Sequence, residues 1–202
     1  NNPSTVYKEP TIASATSSDI PASGGTFAKS WLTVKYNQTA YYDYPSGSDT
    51  STSPHSVASN ATATQAMISF TGTAPTGSNL GSKAYSRTSK GSVTVKVTAN
   101  SKTSSGTSVT VYQQANSYSD AISSISGSAS YGSWAWNGTL AKIPTITCTA
   151  TYIRTWTSGS NYTVTSSVTP TITSSSVSDT ANWSIVSTTA SLNPKASNPN
   201  YS

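Results

Sequence analysis

Six carboxylates, one histidine and one cysteine are the side chains best suited to acid–base, nucleophilic or metal chemistry in this chain. The carboxylates are Glu9, Asp19, Asp43, Asp49, Asp120 and Asp179, and no two lie within three residues of each other. A glycosidase needs two carboxyl groups facing across one bond, and six scattered acids offer few such pairs. A calcium loop needs several oxygen ligands close together in sequence, which no segment supplies. His55 sits in Ser53-Pro54-His55-Ser56 and is the one imidazole that could serve a Ser-His-Asp arrangement. Its polar neighbours predict an exposed loop histidine instead. Cys148 has no partner for a disulfide, and its place in an alternating segment predicts a buried structural thiol. The expectation is no catalytic residue, no metal and no cofactor.

Aromatic residues are the better candidates for binding. Trp134 and Trp136 are separated by one small residue, so in a strand they share a face, with Tyr131 near them. Exposed, such a group would form a platform that stacks on sugar rings. The competing reading has both indoles filling the core or a junction between domains, as large aromatics usually do. Tyr41, Tyr42 and Tyr44 form a second group, in which strand alternation turns some rings, Tyr42 among them, toward solvent.

These side chains need elements to hold them, and the pattern is strand and turn throughout. Val93, Val95 and Val97 alternate with Thr94, Lys96 and Thr98, and Val109 and Val111 flank Thr110. Period two predicts strands with one buried and one wet face. Leu32, Val34, Tyr36, Ile68 and Phe70 are expected to face inward with these valines. In the later half Ile146, Cys148, Trp183 or Ile185, and Val186 are expected to do the same. Gly24-Gly25, Pro45-Ser46-Gly47, Pro75-Thr76-Gly77 and Ser158-Gly159 punctuate the strands as turns.

The sequence also repeats. Residues 32–48 lie over 144–160 without a gap, and Thr5-Val6-Tyr7-Lys8-Glu9 resembles Thr110-Val111-Tyr112-Gln113-Gln114. The period is on the order of a hundred residues, the size of one β-sandwich. This frame predicts the end of a preceding repeat, or a donor strand, over 1–10, one repeat over 11–116, and a second over 117–202 lacking its last two strands. Thr5, Val6 and Tyr7 then read as an orphan strand. It could complete an open domain of a neighbouring chain, or belong to a longer tandem array. The absence of Met at position 1 reads as a processed start or a slice of a longer chain.

Composition narrows the classes further. Only 8% of the residues are charged, and Ser and Thr make up roughly 38% of the chain, far above usual usage. Five Trp and twelve Tyr argue for a packed protein rather than a disordered tract. The Ser and Thr are read as solvent faces of strands, a place that suits β-branched Thr. The net charge of +5 is spread along the chain without a stripe, which argues against nucleic-acid binding. No apolar run is long enough to insert into a membrane as a helix.

Two segments carry a family resemblance. Ile20-Pro21-Ala22-Ser23-Gly24-Gly25-Thr26 and Val109-Thr110-Val111-Tyr112-Gln113-Gln114-Ala115-Asn116 resemble the opening and closing motifs of immunoglobulin-like tandem repeats. Such repeats occur in surface proteins of gut Bacteroidales and in fibre and virion proteins of phages, including crAss-like phages. The resemblance covers the first repeat and the middle of the second, whose opening instead reads Tyr131-Gly132-Ser133-Trp134-Ala135-Trp136. It implies an all-β protein of tandem immunoglobulin-like β-sandwich domains, located extracellularly, on a bacterial cell surface or on a virion. It also implies display, spacing and adhesion, with neighbouring repeats or subunits, and host or cell-surface polysaccharide, as partners. Asp179-Thr180-Ala181 resembles the O-glycosylation motif of Bacteroidetes surface proteins, with Thr180 as acceptor, though an ordinary turn explains it as well. Asn-x-Ser/Thr triplets at Asn37, Asn60, Asn137, Asn161, Asn182 and Asn200 arise readily by chance in so Ser/Thr-rich a chain.

Overall fold

Valine alternation sets the centre of the first half of the molecule. The computed structural model describes residues 3–44, 53–136, 140–167, 171–179 and 182–189, with side-chain surroundings for 3–44, 53–127 and 149–163. The described chain is all-β, with two short 3-10 turns at Lys29–Trp31 and Gln65–Met67. Its strands are β1 (Ser4–Tyr7), β2 (Thr11–Ser17), β3 (Gly25–Thr26), β4 (Leu32–Asp43), β5 (His55–Thr62), β6 (Ile68–Thr71), β7 (Thr76–Gly77) and β8 (Thr88–Ala99). They continue as β9 (Lys102–Thr103), β10 (Thr107–Gln113), β11 (Tyr118–Trp136), β12 (Leu140–Trp156), β13 (Asn161–Ser167), β14 (Thr171–Asp179) and β15 (Asn182–Thr189). The chain divides into two units: 1–80 with 86–115, and 81–85 with 116–202.

In the first unit one antiparallel sheet has β4 at its centre, with β1 and β2 along one side and β5 along the other. A second sheet runs β10-β8-β6. Val93, Val95, Val97, Val109 and Val111 from the second sheet form one buried cluster with Leu32 and Val34 of β4 and with Ile20, Phe27 and Ile68. Fully burying a side chain of this size stabilises by roughly 1.5–3 kcal/mol, so the valine ladder is a principal driving force of this unit. Tyr36 and Phe70, also expected inward, are partly buried and pack against the cluster. Phe70 meets Phe27 edge-on with ring centroids 5.0 Å apart. After β2 the chain crosses to the second sheet, where Ile20 bridges Gln113 in parallel. Ile20 N–H donates to Tyr112 O, and Gln114 N–H donates to Ile20 O.

The first strand has its partner within the same chain. Thr5, Val6 and Tyr7 pair with Tyr42, Tyr41 and Ala40 of the same chain, so the strand read as an orphan has its partner in the first unit. Thr110–Gln113, to which it was matched, lies in the other sheet against β8. The pairing also gives its true counterpart. At the 112-residue spacing of the long sequence match, β4 corresponds to β12. The β11–β12 pairs Ser119↔Thr155 through Ile122↔Tyr152 correspond to the four β1 pairs along β4. One extra residue intervenes at the same point in both strands, between Tyr7 and Thr11 and between Ile122 and Ser124. β1 and β2 together therefore hold along β4 the place that β11 holds along β12. β13 pairs with β12 on the side opposite β11, as β5 pairs with β4 on the side opposite β1 and β2. In the second unit β14 and β15 form a further two-stranded sheet.

His55 is also placed differently from expectation. It begins strand β5, paired opposite Ala40, rather than lying in a loop, and its ring has an aromatic partner described below. β5 is an edge strand and carries two bulges, one at Val57 and one at Ser59-Asn60, where Asn60 takes a left-handed φ of 48°. Asn37 Oδ1 accepts the Asn60 N–H at 2.6 Å, which holds the second bulge.

Candidate binding surfaces

On β4 the even-numbered residues face the second sheet, and Leu32, Val34, Gln38 and Ala40 are buried. Gln38 closes this row. Its Nε2 donates to Lys8 O at 2.8 Å and Ala99 O at 3.0 Å, while its Oε1 accepts from Asn100 Nδ2 at 2.9 Å. A buried amide with its hydrogen-bonding groups engaged ties both sheets together where the apolar core ends. Beyond it the same face opens. Tyr42 is 42% exposed and stacks on the half-buried His55 ring, centroids 4.7 Å apart and planes 20° from parallel. Val57, carried outward on its bulge, is also exposed. The stacked pair offers an aromatic face with polar edges, a surface suited to the C–H face of a sugar or to an apolar peptide segment.

Tyr131, Trp134 and Trp136 pair with Pro144, Lys142 and Leu140, and a bulge between Tyr131 and Trp134 keeps all three in phase. Further along β12 the even-numbered Ala150, Tyr152, Arg154 and Trp156 are buried and form the core face of the second unit. The side chains of Tyr131, Trp134 and Trp136, like those of Ile146, Cys148, Trp183, Ile185 and Val186, lie outside the described ones, and Thr180 lies outside the described residues altogether.

That core face holds a charge pair which its sequence neighbours hid. Arg154 and Asp120 are opposite each other on β12 and β11, with side chains 0% and 1% exposed. Arg154 Nε donates to Asp120 Oδ1 at 2.9 Å and Nη2 to Oδ2 at 3.1 Å. The guanidinium also lies 3.8 Å from the centre of the Tyr118 ring, and Tyr118 meets Trp156 edge-on. Hydrogen bonding to Asp120 raises the Arg154 pKa above its ordinary value despite the opposing effect of burial. Burial raises that of the Tyr152 phenol. The Trp156 Nε1 is buried with no hydrogen-bond acceptor. Alternation of Tyr152, Arg154 and Trp156 is the signal in the sequence that could have revealed this row.

The first unit carries a related but wetter group. Arg87 donates to both Asp19 carboxylate oxygens, at 2.6 and 2.9 Å, and lies 3.8 Å from the Tyr112 ring centre. These hydrogen bonds hold the Asp19 pKa below the usual carboxylate value. Both groups brace strands through charge-assisted bonds and ring contacts, and each pairs one acid with one base. Among the described residues no three His, Cys, Asp or Glu side chains group together as a metal would require. Among the same residues no helix is long and apolar enough to cross a membrane. No family model, no curated protein and no solved structure matches the chain.

Proposed function

We propose that the chain is a non-enzymatic structural and display segment of an extracellular or virion-surface fibre, built from tandem immunoglobulin-like β-sandwiches and acting as a spacer and low-affinity adhesin. The observation that carries this reading is the recurrence of one strand frame. β11-β12-β13 repeats the pairing of β1/β2-β4-β5, in register with a sequence match at constant spacing. In the first unit, two sheets around one buried cluster and the crossing of the chain at Ile20 support the sandwich assignment. Modules of this kind give reach through repetition, with each unit stabilised by its own core. The Ser/Thr-rich faces keep such a surface wet without a strong charge field. The test is immunoelectron microscopy with antibody raised against the chain. Intact cells or virions should be decorated along their surface projections. Labelling only after lysis would refute the reading.

A second reading is favoured by the Tyr42–His55 stack, namely a carbohydrate-binding adhesin that uses exposed aromatic rings. Neutral polysaccharide should then shift the ring-proton resonances of His55, the sole histidine. Unchanged resonances at saturating polysaccharide would remove this site from the adhesin reading. A strand-donating filament is less well supported, because Thr5, Val6 and Tyr7 would first have to leave their pairing with β4.

A further inference from the structure

One strand edge of the second unit is left regular and uncovered among the described residues. β13 ends the sheet order β11-β12-β13, and no described strand pairs with its outer side. All seven of its residues, Asn161 to Ser167, pair with β12 without a register shift. The strand is also held in place before any partner arrives. The hairpin joining it to β12 turns through Gly159, at a φ of 89°. Trp156 N–H donates to Ser160 O at 2.9 Å, and Gly159 N–H donates to Trp156 O at 2.8 Å. Asn161, Tyr162 and Thr163 are all exposed.

An edge strand presents a row of unpaired N–H and C=O groups, which folds ordinarily blunt by shortness, bulges, charges or a cover. The other described strands at sheet edges are blunted in these ways. β5, which holds along β4 the place that β13 holds along β12, has two register shifts. β2 and β10 have one each, and Ile20 bridges the end of β10. β11 is shifted against β12 at two points, and β14 and β15 against each other at three. β1 and β6 are four residues long, and β3, β7 and β9 only two. β13 has none of these devices. Its sequence, Asn161-Tyr162-Thr163-Val164-Thr165-Ser166-Ser167, contains no charge, proline or glycine, and Tyr, Thr and Val favour extended backbone.

We infer that the outer edge of β13 is a strand-addition site for β13 of a second copy of this chain, paired antiparallel about a two-fold axis. Two observations select this occupant. A regular row of donors and acceptors is matched along its length only by an equally regular row, and β13 is the one such edge longer than four residues among the described strands. Pairing a strand with itself also doubles whatever charge it brings to the contact, and β13 brings none. Centred on Val164, the pairing sets Thr163 of each copy opposite Thr165 of the other, and Thr–Thr pairs are favourable cross-strand neighbours. A two-fold contact uses the same surface on both copies, so it closes at a dimer. The inference holds whether or not the protein is a surface fibre.

The experiment uses the full chain from about 10 µM to about 1 mM, where weak contacts between proteins become populated. Sedimentation equilibrium gives the mass, and backbone hydrogen exchange on peptides covering 161–167 locates the contact. The expected result is a weight-average mass that rises with concentration from 20.8 kDa toward twice that value and no further. Exchange at β13 should slow in parallel. The full chain carrying Thr163→Lys with Thr165→Lys sets like charges across the pairing and should stay at 20.8 kDa with its β-sheet circular dichroism intact. Thr163→Lys with Thr165→Glu alters the same two positions but sets opposite charges across the pairing, and should restore the dimer. Equal masses for the two variants would overturn the inference, as would a dimer whose exchange at β13 is unchanged or a mass that climbs past twice the monomer. A mass independent of concentration in the unaltered chain would also overturn it, and would leave this edge to a strand of a different protein.

Discussion

Removing Asp120 should cost the second unit more than any other single polar substitution among the described residues. Asp120→Ala leaves the Arg154 guanidinium, 0% exposed, without its carboxylate. Breaking a buried pair from one side costs roughly 3–5 kcal/mol, because the remaining charge stays desolvated after losing its carboxylate. For a unit of this size each kcal/mol moves the melting temperature by about 4–8 °C, so the expected drop is on the order of 12–40 °C. Against a total stability of about 5–15 kcal/mol, the substitution brings the unit close to unfolding at room temperature. Replacing both residues with apolar ones, Asp120→Leu with Arg154→Met, should recover most of the loss, since no buried charge then remains. The assay is thermal unfolding of both variants, combined with hydrogen exchange on peptides covering 149–156, which ties the readout to β12. High salt should barely change the result, because the pair is shielded from mobile ions. A loss below about 1 kcal/mol for Asp120→Ala, the value of an exposed pair, would refute the reasoning.

Other substitutions test other parts of the structure. Gln38→Ala should destabilise the first unit by about 1–3 kcal/mol for each buried group it leaves unpaired, measured by urea denaturation, because Lys8 O, Ala99 O and Asn100 Nδ2 lose their partner. Gly24→Ala should cost about 1–3 kcal/mol or more in the same assay. Its φ is +94°, and a Cβ would lie 2.8 Å from the backbone nitrogen of Asn79. Gly25→Ala has nothing within 4 Å of its Cβ and should cost less, a difference that checks the role of the close approach. The lowered pKa of Asp19 means that its pairing with Arg87 contributes stability above the unfolded carboxylate pKa, and this is lost as pH falls through the folded value. Asp19→Asn should accordingly flatten the acid limb of the stability–pH profile while changing little in its slope above pH about 6.

What the sequence made legible was whatever repeats at short range. Alternation of Val93, Val95 and Val97 identified a buried face without knowledge of its partner strand, and the burial of all three follows it. The partner of the first strand was not legible, since Thr5–Glu9 resemble Thr110–Gln114, of which Thr110–Gln113 lie in the other sheet. The pairing of the first strand with β4 depends on residues more than thirty positions away, and a short side-chain match cannot report it. His55 was placed in a loop because Ser and Pro surround it, whereas the structure has it in a strand, stacked on Tyr42. Gln38 and Arg154 were invisible for a different reason. A polar residue on a strand is ordinarily a solvent residue, and only the opposing groups, Ala99 O and Asn100 for one and Asp120 for the other, make burial tolerable. How Trp134 and Trp136 pair with β12 depends on the register shift between Tyr131 and Trp134, a single residue that composition does not encode.

The double bulge of β5 has a consequence for how such a chain is made. The two units emerge from the ribosome in succession and share a stretch of similar sequence, so an exposed strand of one meets a lookalike in the other before it meets any other protein. A straight edge would invite a neighbour's strand to join in place of the native one, fusing two modules into a misfolded pair. Bulges at Val57 and Asn60 break the spacing of backbone donors and acceptors along that edge, so a flat incoming strand finds only a few of them in phase. The irregularity that brings Val57 to the surface thereby keeps the first unit faithful to its own strands.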